Sequence, residues 1–251
     1  MVKNNVNGKV VLIAGGAKNL GGLLSRNFAA KGAKLVIHYN SAGTQPDAEK
    51  TLADVQAAGA EAILFQGDLT RPKNINTLFD AAIARFGGID IAINTVGKVL
   101  KKPIEETTEA EYDSMSDINS KAAYFFIQEA GKKLNDNGKI CTIVTSLLAA
   151  YTGLYSTYEG MKAPVEHFTR AASKEFGSRG ISVTAVAPGP MDTPFFYGQE
   201  SDEAVSYHKH ASALGGLTDI KDIAPLVEFL VTDGWWITGQ TIFANGGYTT
   251  R

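Results

Sequence analysis

Tyr158 and Lys162 stand four residues apart in Tyr158-Glu159-Gly160-Met161-Lys162. They head a helical pattern that carries Val165, Phe168 and Ala172 on one stripe. On a helix this spacing puts both side chains on one face, so a phenol and an ammonium can point at one ligand. That is the make-up of a proton-transfer pair. A free tyrosine, with a pKa of about 10, exchanges protons poorly near neutrality, and a nearby cation favours its phenolate. Lowering that pKa by about three units takes about 4 kcal/mol, which a cation in a partly dry cleft can supply.

A second group of residues suits a dinucleotide. Ala14-Gly15-Gly16-Ala17-Lys18-Asn19-Leu20-Gly21-Gly22 follows an apolar run and precedes a helical pattern. Glycines there permit a tight turn and close backbone approach to a pyrophosphate, and the helix start offers free N–H groups. Sites that prefer NAD carry an acidic residue about 20 positions further on, at the end of the second strand. Here that strand ends Ile37-His38-Tyr39-Asn40-Ser41, with no carboxylate. Asn40 and Ser41 can donate to a 2′-phosphate and Lys18 can add charge. The expected cofactor is NADP, with NADPH preferred over NADH.

The elements that must hold these residues follow from hydrophobic runs. Near-continuous apolar segments predict strands at Val10–Ala14, Leu35–Tyr39, Ala62–Gln66, Ile89–Asn94, Lys139–Thr145, Ser182–Ala187 and Thr241–Ala244. Helical patterns fall at Leu20–Lys31, Pro46–Ala58, Pro72–Phe86, Glu109–Asn135, Tyr155–Ser178 and Ile220–Thr232. The alternation predicts an α/β fold: a single doubly wound Rossmann-type domain over residues 1–251, with a parallel sheet of about seven strands. Ligands then bind at the carboxyl ends of the strands. Residues 189–218 lack a clean period and read as a substrate loop. Pro164, inside the catalytic helix, predicts a local kink.

With these residues in place, the chain resembles the short-chain dehydrogenase/reductase family from Gly8 to about Tyr248. In the family's TGxxxGxG turn, Ala14 replaces the threonine, Gly15 and Gly21 match, and Asn19 takes the middle glycine. Asparagine is one of the few residues that tolerate a left-handed backbone. The resemblance implies that Asp68, in Gly67-Asp68-Leu69, bonds the adenine. It implies that Asn94 and Gly97 keep the ends of the family's NNAG segment, where Thr95 and Val96 depart from it. Pro188, Gly189 and Thr193 match PG-x-x-x-T, whose threonine fixes the nicotinamide carboxamide. Ser146, 12 residues before Tyr158, is implied as the substrate-oxygen donor, with Thr145 the less favoured substitute. Asn119 matches the position that supports a water between the lysine and bulk solvent. Leu147, Leu148, Tyr151, Leu154, Met191, Phe195, Phe196 and Tyr197 fall where a substrate pocket should form.

The expected reaction interconverts a carbonyl and an alcohol. Two alternatives stay open: an enoyl reductase using Tyr155, which stands at the Tyr-x6-Lys spacing from Lys162 that such relatives use, and an NADP-binding regulator without catalysis. Composition narrows the partners. Of 251 residues, 44% are hydrophobic and 20% charged, with a net charge of −2. No basic excess points to nucleic acid or to an anionic membrane. No run of about 18 apolar residues occurs. The one cysteine, Cys141, lies in a strand pattern and fits a reducing cytoplasm. His208 and His210 form an HxH pair without a convincing third ligand, so no metal is expected. A small-molecule substrate and, by the resemblance, a homotetramer or homodimer complete the expectation.

Overall fold

A computed structural model describes residues 5–250. Seven strands form one parallel sheet in the order β3-β2-β1-β4-β5-β6-β7. They are β1 (Val10–Ala14), β2 (Lys34–Tyr39), β3 (Ala62–Gln66), β4 (Ile91–Asn94), β5 (Lys139–Ile143), β6 (Ser182–Pro188) and β7 (Thr241–Ala244). The expected α/β sheet is therefore present. The order reverses between β1 and β4, which is where such sheets open a ligand crevice.

The strand residues alternate between two cores, as the period of two requires. Val11, Ile13, Leu35 and Ile37 face one side, against Leu24 and Phe28 of α1 (Asn19–Ala30) and Val227 of α9 (Ile220–Leu230). Leu12 and Val36 face the other, against Phe79 of α3 (Pro72–Phe86) and Phe126 of α5 (Ala122–Lys133). The Phe79 and Phe126 rings meet edge to face at 5.2 Å. Helix α2 (Gln45–Ala57) covers the β2–β3 end. Cys141 is fully buried, and burial pushes its thiol up to about 12.

Two expectations change. The helix expected at Glu109–Asn135 is divided: α4 (Glu109–Ser116), a π turn at Asp117–Lys121, and then α5. The expected loop at 189–218 contains α7 (Pro194–Tyr197) and α8 (Asp202–Ala211), and α8 carries both His208 and His210. Prolines and glycines around these short helices masked their period. Helix α6 (Ser156–Glu175) continues through Pro164. The carbonyl that a proline ring crowds belongs to the residue four earlier. Here that is Gly160, which is exposed and has open space around it. Among the described residues, no helix is long and apolar enough to cross a membrane.

Candidate active site

One cavity of about 430 Å³ opens along the carboxyl edge of the sheet. Residues just beyond β1, β2, β4, β5 and β6 line it, among them Gly15, Asn40, Thr95, Thr145 and Gly189.

Its nucleotide end is the turn from β1 into α1. Gly15 has φ +76°, and a Cβ there would lie 2.6 Å from Thr95 Oγ1. A Cβ on Gly21 would lie 2.1 Å from the Gly15 carbonyl oxygen. Neither position accepts a side chain. Asn19 takes φ +49°, the left-handed conformation that asparagine tolerates. Lys18 caps α1 in extended backbone without a side-chain cap, and no acidic residue sits in the first turn. The helix start thus meets an incoming anion without a competing carboxylate.

His38 ties this turn down, a role the sequence did not signal. Its Nδ1 accepts from Gly15 N at 3.0 Å, and its Nε2 faces Gly67 O at 2.7 Å. The first bond needs a bare Nδ1 and the second a protonated Nε2, so the ring is one neutral tautomer. Burial pushes its pKa down to about 4.

Lys18, Asn19, Leu20, Asn40 and Leu69 line the cavity. Lys18 Nζ rests 3.5 Å from Asp47, both half exposed. Ser41, Asp68, Asn94 and Asn119 stand outside the lining. Ser41 closes a capping box with Thr44. Asp68 Oδ1 accepts from Thr70 N at 3.0 Å and from Thr70 Oγ1 at 2.8 Å, so its carboxylate is a turn cap. Asn94 Oδ1 accepts from Val96 N at 2.9 Å and shapes the following turn. Gly189 and the buried Thr193 line the cavity beyond β6.

At the other end, α6 brings Tyr158 and Lys162 into the cavity wall, 9% and 3% exposed. Lys162 Nζ donates to Ile143 O at 2.9 Å and to Val96 O at 3.2 Å. Burial brings its pKa down to about 8. Tyr158 behaves differently from the sequence expectation. Burial pushes it up to about 12, only partly offset by a hydrogen bond from the Thr145 side chain. The Lys162 ammonium is engaged with backbone carbonyls, and desolvation is the dominant influence on the Tyr158 phenol.

Asn119 sits in the π turn, and the local widening of the helix turns its amide inward. Its Nδ2 donates to Lys98 O at 2.9 Å and Met115 O at 3.2 Å, and its Oδ1 accepts from Lys98 N at 3.1 Å. Gly97 lets Asn119 and Lys162 approach. A Cβ on it would lie 3.1 Å from both Asn119 Oδ1 and Lys162 Nζ.

Ser146 lines the cavity with its hydroxyl already engaged. Its Oγ donates to Ala187 O at 3.0 Å and accepts from Asn245 Nδ2 at 2.9 Å. The serine's single proton is committed to the backbone, and the residue is 1% exposed. The hydroxyl beside Tyr158 belongs to Thr145, whose Oγ1 also accepts from Leu147 N at 3.2 Å. Of the expected pocket residues, Leu147, Met191, Phe195 and Phe196 line the cavity. Tyr151 and Leu154 point to solvent, Leu148 packs against a small core, and Tyr197 bonds Asp192. Tyr155 donates to Glu200, which also pairs with Lys101 at 2.6 Å.

Comparison with known proteins gives the family. A family model described as enoyl-(acyl carrier protein) reductase matches residues 15–249. A short-chain type dehydrogenase/reductase of Picea abies is 33% identical, over 96% of this chain and 92% of its own. A Burkholderia cenocepacia dehydrogenase structure with bound NADP is 64% identical, with a TM-score of 0.98, covering 100% of this chain and 97% of that one. A short-chain dehydrogenase of Oenococcus oeni is 56% identical, with a TM-score of 0.78 and 98% of each chain covered. The glycine turn, the parallel sheet and these likenesses along nearly the whole chain lead to one conclusion: the protein is an oxidoreductase and belongs to the short-chain dehydrogenase/reductase family.

Proposed function

We propose that this enzyme reduces a carbonyl to an alcohol with NADPH, with Tyr158 as the proton donor. The observation that carries the reading is one continuous cavity, which joins the Gly15–Gly21 turn to Thr145, Tyr158 and Lys162. The nucleotide end fits a dinucleotide: glycines that admit no Cβ, an α1 start without side-chain cap or acid, and no carboxylate at Asn40 or Ser41. The bound NADP of the Burkholderia cenocepacia relative supports the choice of cofactor. Lys18 and Asn40 would hold the 2′-phosphate, and Thr193 the carboxamide. The exposed Lys18–Asp47 pair breaks at little cost.

NADPH supplies the hydride, and the chain's own groups manage the oxygen. With substrate bound, the Thr145 hydroxyl would turn its proton from Tyr158 to the substrate oxygen and stabilise the charge that develops there. Tyr158 passes its proton to that oxygen as general acid. Burial keeps Tyr158 protonated near neutrality, which suits the reductive direction. Lys162 holds the ribose and returns a proton to Tyr158 from the side on which Asn119 lies.

The description of the matched family model favours a second reading, enoyl reduction, with Tyr155 as donor. The geometry disfavours it. The Tyr155 hydroxyl is spent on Glu200, and burial beside that carboxylate raises its pKa. NADPH consumption across aldehydes, ketones, β-ketoesters, quinones and an enoyl thioester tests the proposal. Turnover of ketones is expected. Turnover of the enoyl thioester alone, or NADPH binding with no turnover, overturns it.

A further inference from the structure

Glu200 and His208 face the same cavity as Tyr158, and no step above uses them. Glu200 lies between α7 and α8, with its side chain 2% exposed. Its carboxylate is fixed by Tyr155 through Oε1 and by Lys101 through Oε2. An ionised carboxylate offers about four acceptor positions, so capacity remains. His208 Nδ1 meets the Tyr248 hydroxyl at 2.9 Å. With Tyr248 donating, the imidazole hydrogen sits on Nε2, which lies 3.8 Å from Glu200 Oε2. That is too far for the two to bond each other. An oxygen at about 2.8 Å from each closes the triangle.

From this geometry we infer a hydroxyl-binding subsite, formed by Glu200 Oε2 and His208 Nε2, that selects carbonyl substrates with a free hydroxyl away from the reacting carbon. The inference rests on the carbonyl-reduction reading above. A hydroxyl both gives and accepts a hydrogen bond, as the pair requires. A carbonyl cannot serve Glu200, and an ammonium cannot serve Nε2–H. A carboxylate would meet Glu200 as a like charge. Lys101 already neutralises Glu200, so the subsite attracts a neutral group. The Phe196 ring, 5.4 Å from the His208 ring, offers an apolar wall for the carbon frame that bears the hydroxyl.

The test uses the full chain with NADPH and two matched sets: tetralone with its ring-hydroxylated isomers, and acetophenone with its own. The wild-type kcat/KM should favour at least one hydroxylated isomer over its parent by about tenfold or more, as a hydrogen bond to a charged group warrants. Glu200→Gln and His208→Phe should bring that ratio close to one while the NADPH Kd stays unchanged. Equal wild-type rates on parent and hydroxylated ketones overturn the subsite. So does an equal fall on both substrates in the variants, the signature of side chains that merely hold α7 and α8 in place. Turnover of no ketone at all defeats the carbonyl reading and takes the subsite with it.

Discussion

Asn245 donates its Nδ2 to Ser146 Oγ across 2.9 Å, and the same nitrogen reaches Thr249 O at 3.1 Å. Ser146 hands its own proton to Ala187 O. The serine thus ties the segment after β7 to the ends of β5 and β6. Ser146→Ala is expected to cost about 1–2 kcal/mol of stability through lost hydrogen bonds, with kcat held within about threefold. Thr145→Val should lower kcat by about 100-fold, as loss of an oxyanion donor does, and Thr145→Ser should restore most of it. Thermal unfolding and steady-state kinetics on the three variants check this. A collapse of kcat in Ser146→Ala alone would return the role to the serine.

Tyr155 separates the two reductase readings. Tyr155→Phe removes the bond to Glu200 but leaves the Tyr158 hydroxyl in place. Ketone turnover should persist in Tyr155→Phe, with kcat within about tenfold of wild type, well short of the loss expected for a missing general acid. Loss of enoyl thioester turnover in this variant, with no ketone turnover in the wild type, would favour Tyr155 as donor.

His38 predicts an acid-sensitive fold. Burial holds its folded pKa at about 4, below the ordinary histidine value of 6.5. Between those values the unfolded chain binds a proton that the folded chain refuses, so stability rises with pH. The contribution is complete above 6.5 and is lost as pH falls toward 4. A shift of this size is worth about 3 kcal/mol. Urea unfolding across that window should show a shallower pH slope in His38→Asn than in wild type. Equal slopes would mean that His38 is not the group responsible.

Much of this architecture is legible in the sequence, and the misses have physical causes. Strands β1, β3 and β7 fall where their apolar runs begin and end, the fully buried β1 and the half-buried edge strands β3 and β7 alike. Asn19 announces its left-handed turn by residue type. Thr145 was available by arithmetic, since it lies 13 residues before Tyr158, between the family's limits of 12 and 14. Residue type alone favoured Ser146, and its hydrogen bond from Asn245, at the far end of the chain, has no local signal. The Lys101–Glu200 pair and the His38 clamp join residues distant in sequence, and no local period marks them. The π turn at Asn119 is invisible to a helical pattern that it interrupts by a single wider turn.

Cofactor choice turns on Lys18 and the missing carboxylate after β2. Lys18→Ala should raise the KM for NADPH by about tenfold, the loss of one charge-assisted contact, and leave the KM for NADH unchanged. Asn40→Asp should move preference toward NADH by placing a carboxylate where, on the proposed reading, the NADPH phosphate would sit. A wild-type preference for NADH would overturn the NADPH assignment.

The central claim is that Tyr158 protonates the substrate oxygen. It is tested most directly by Tyr158→Phe, with ketone turnover and NADPH affinity measured side by side. The prediction is a fall in kcat of about 100-fold or more, with the NADPH Kd within about threefold of wild type. A variant that keeps most of its turnover would contradict the account.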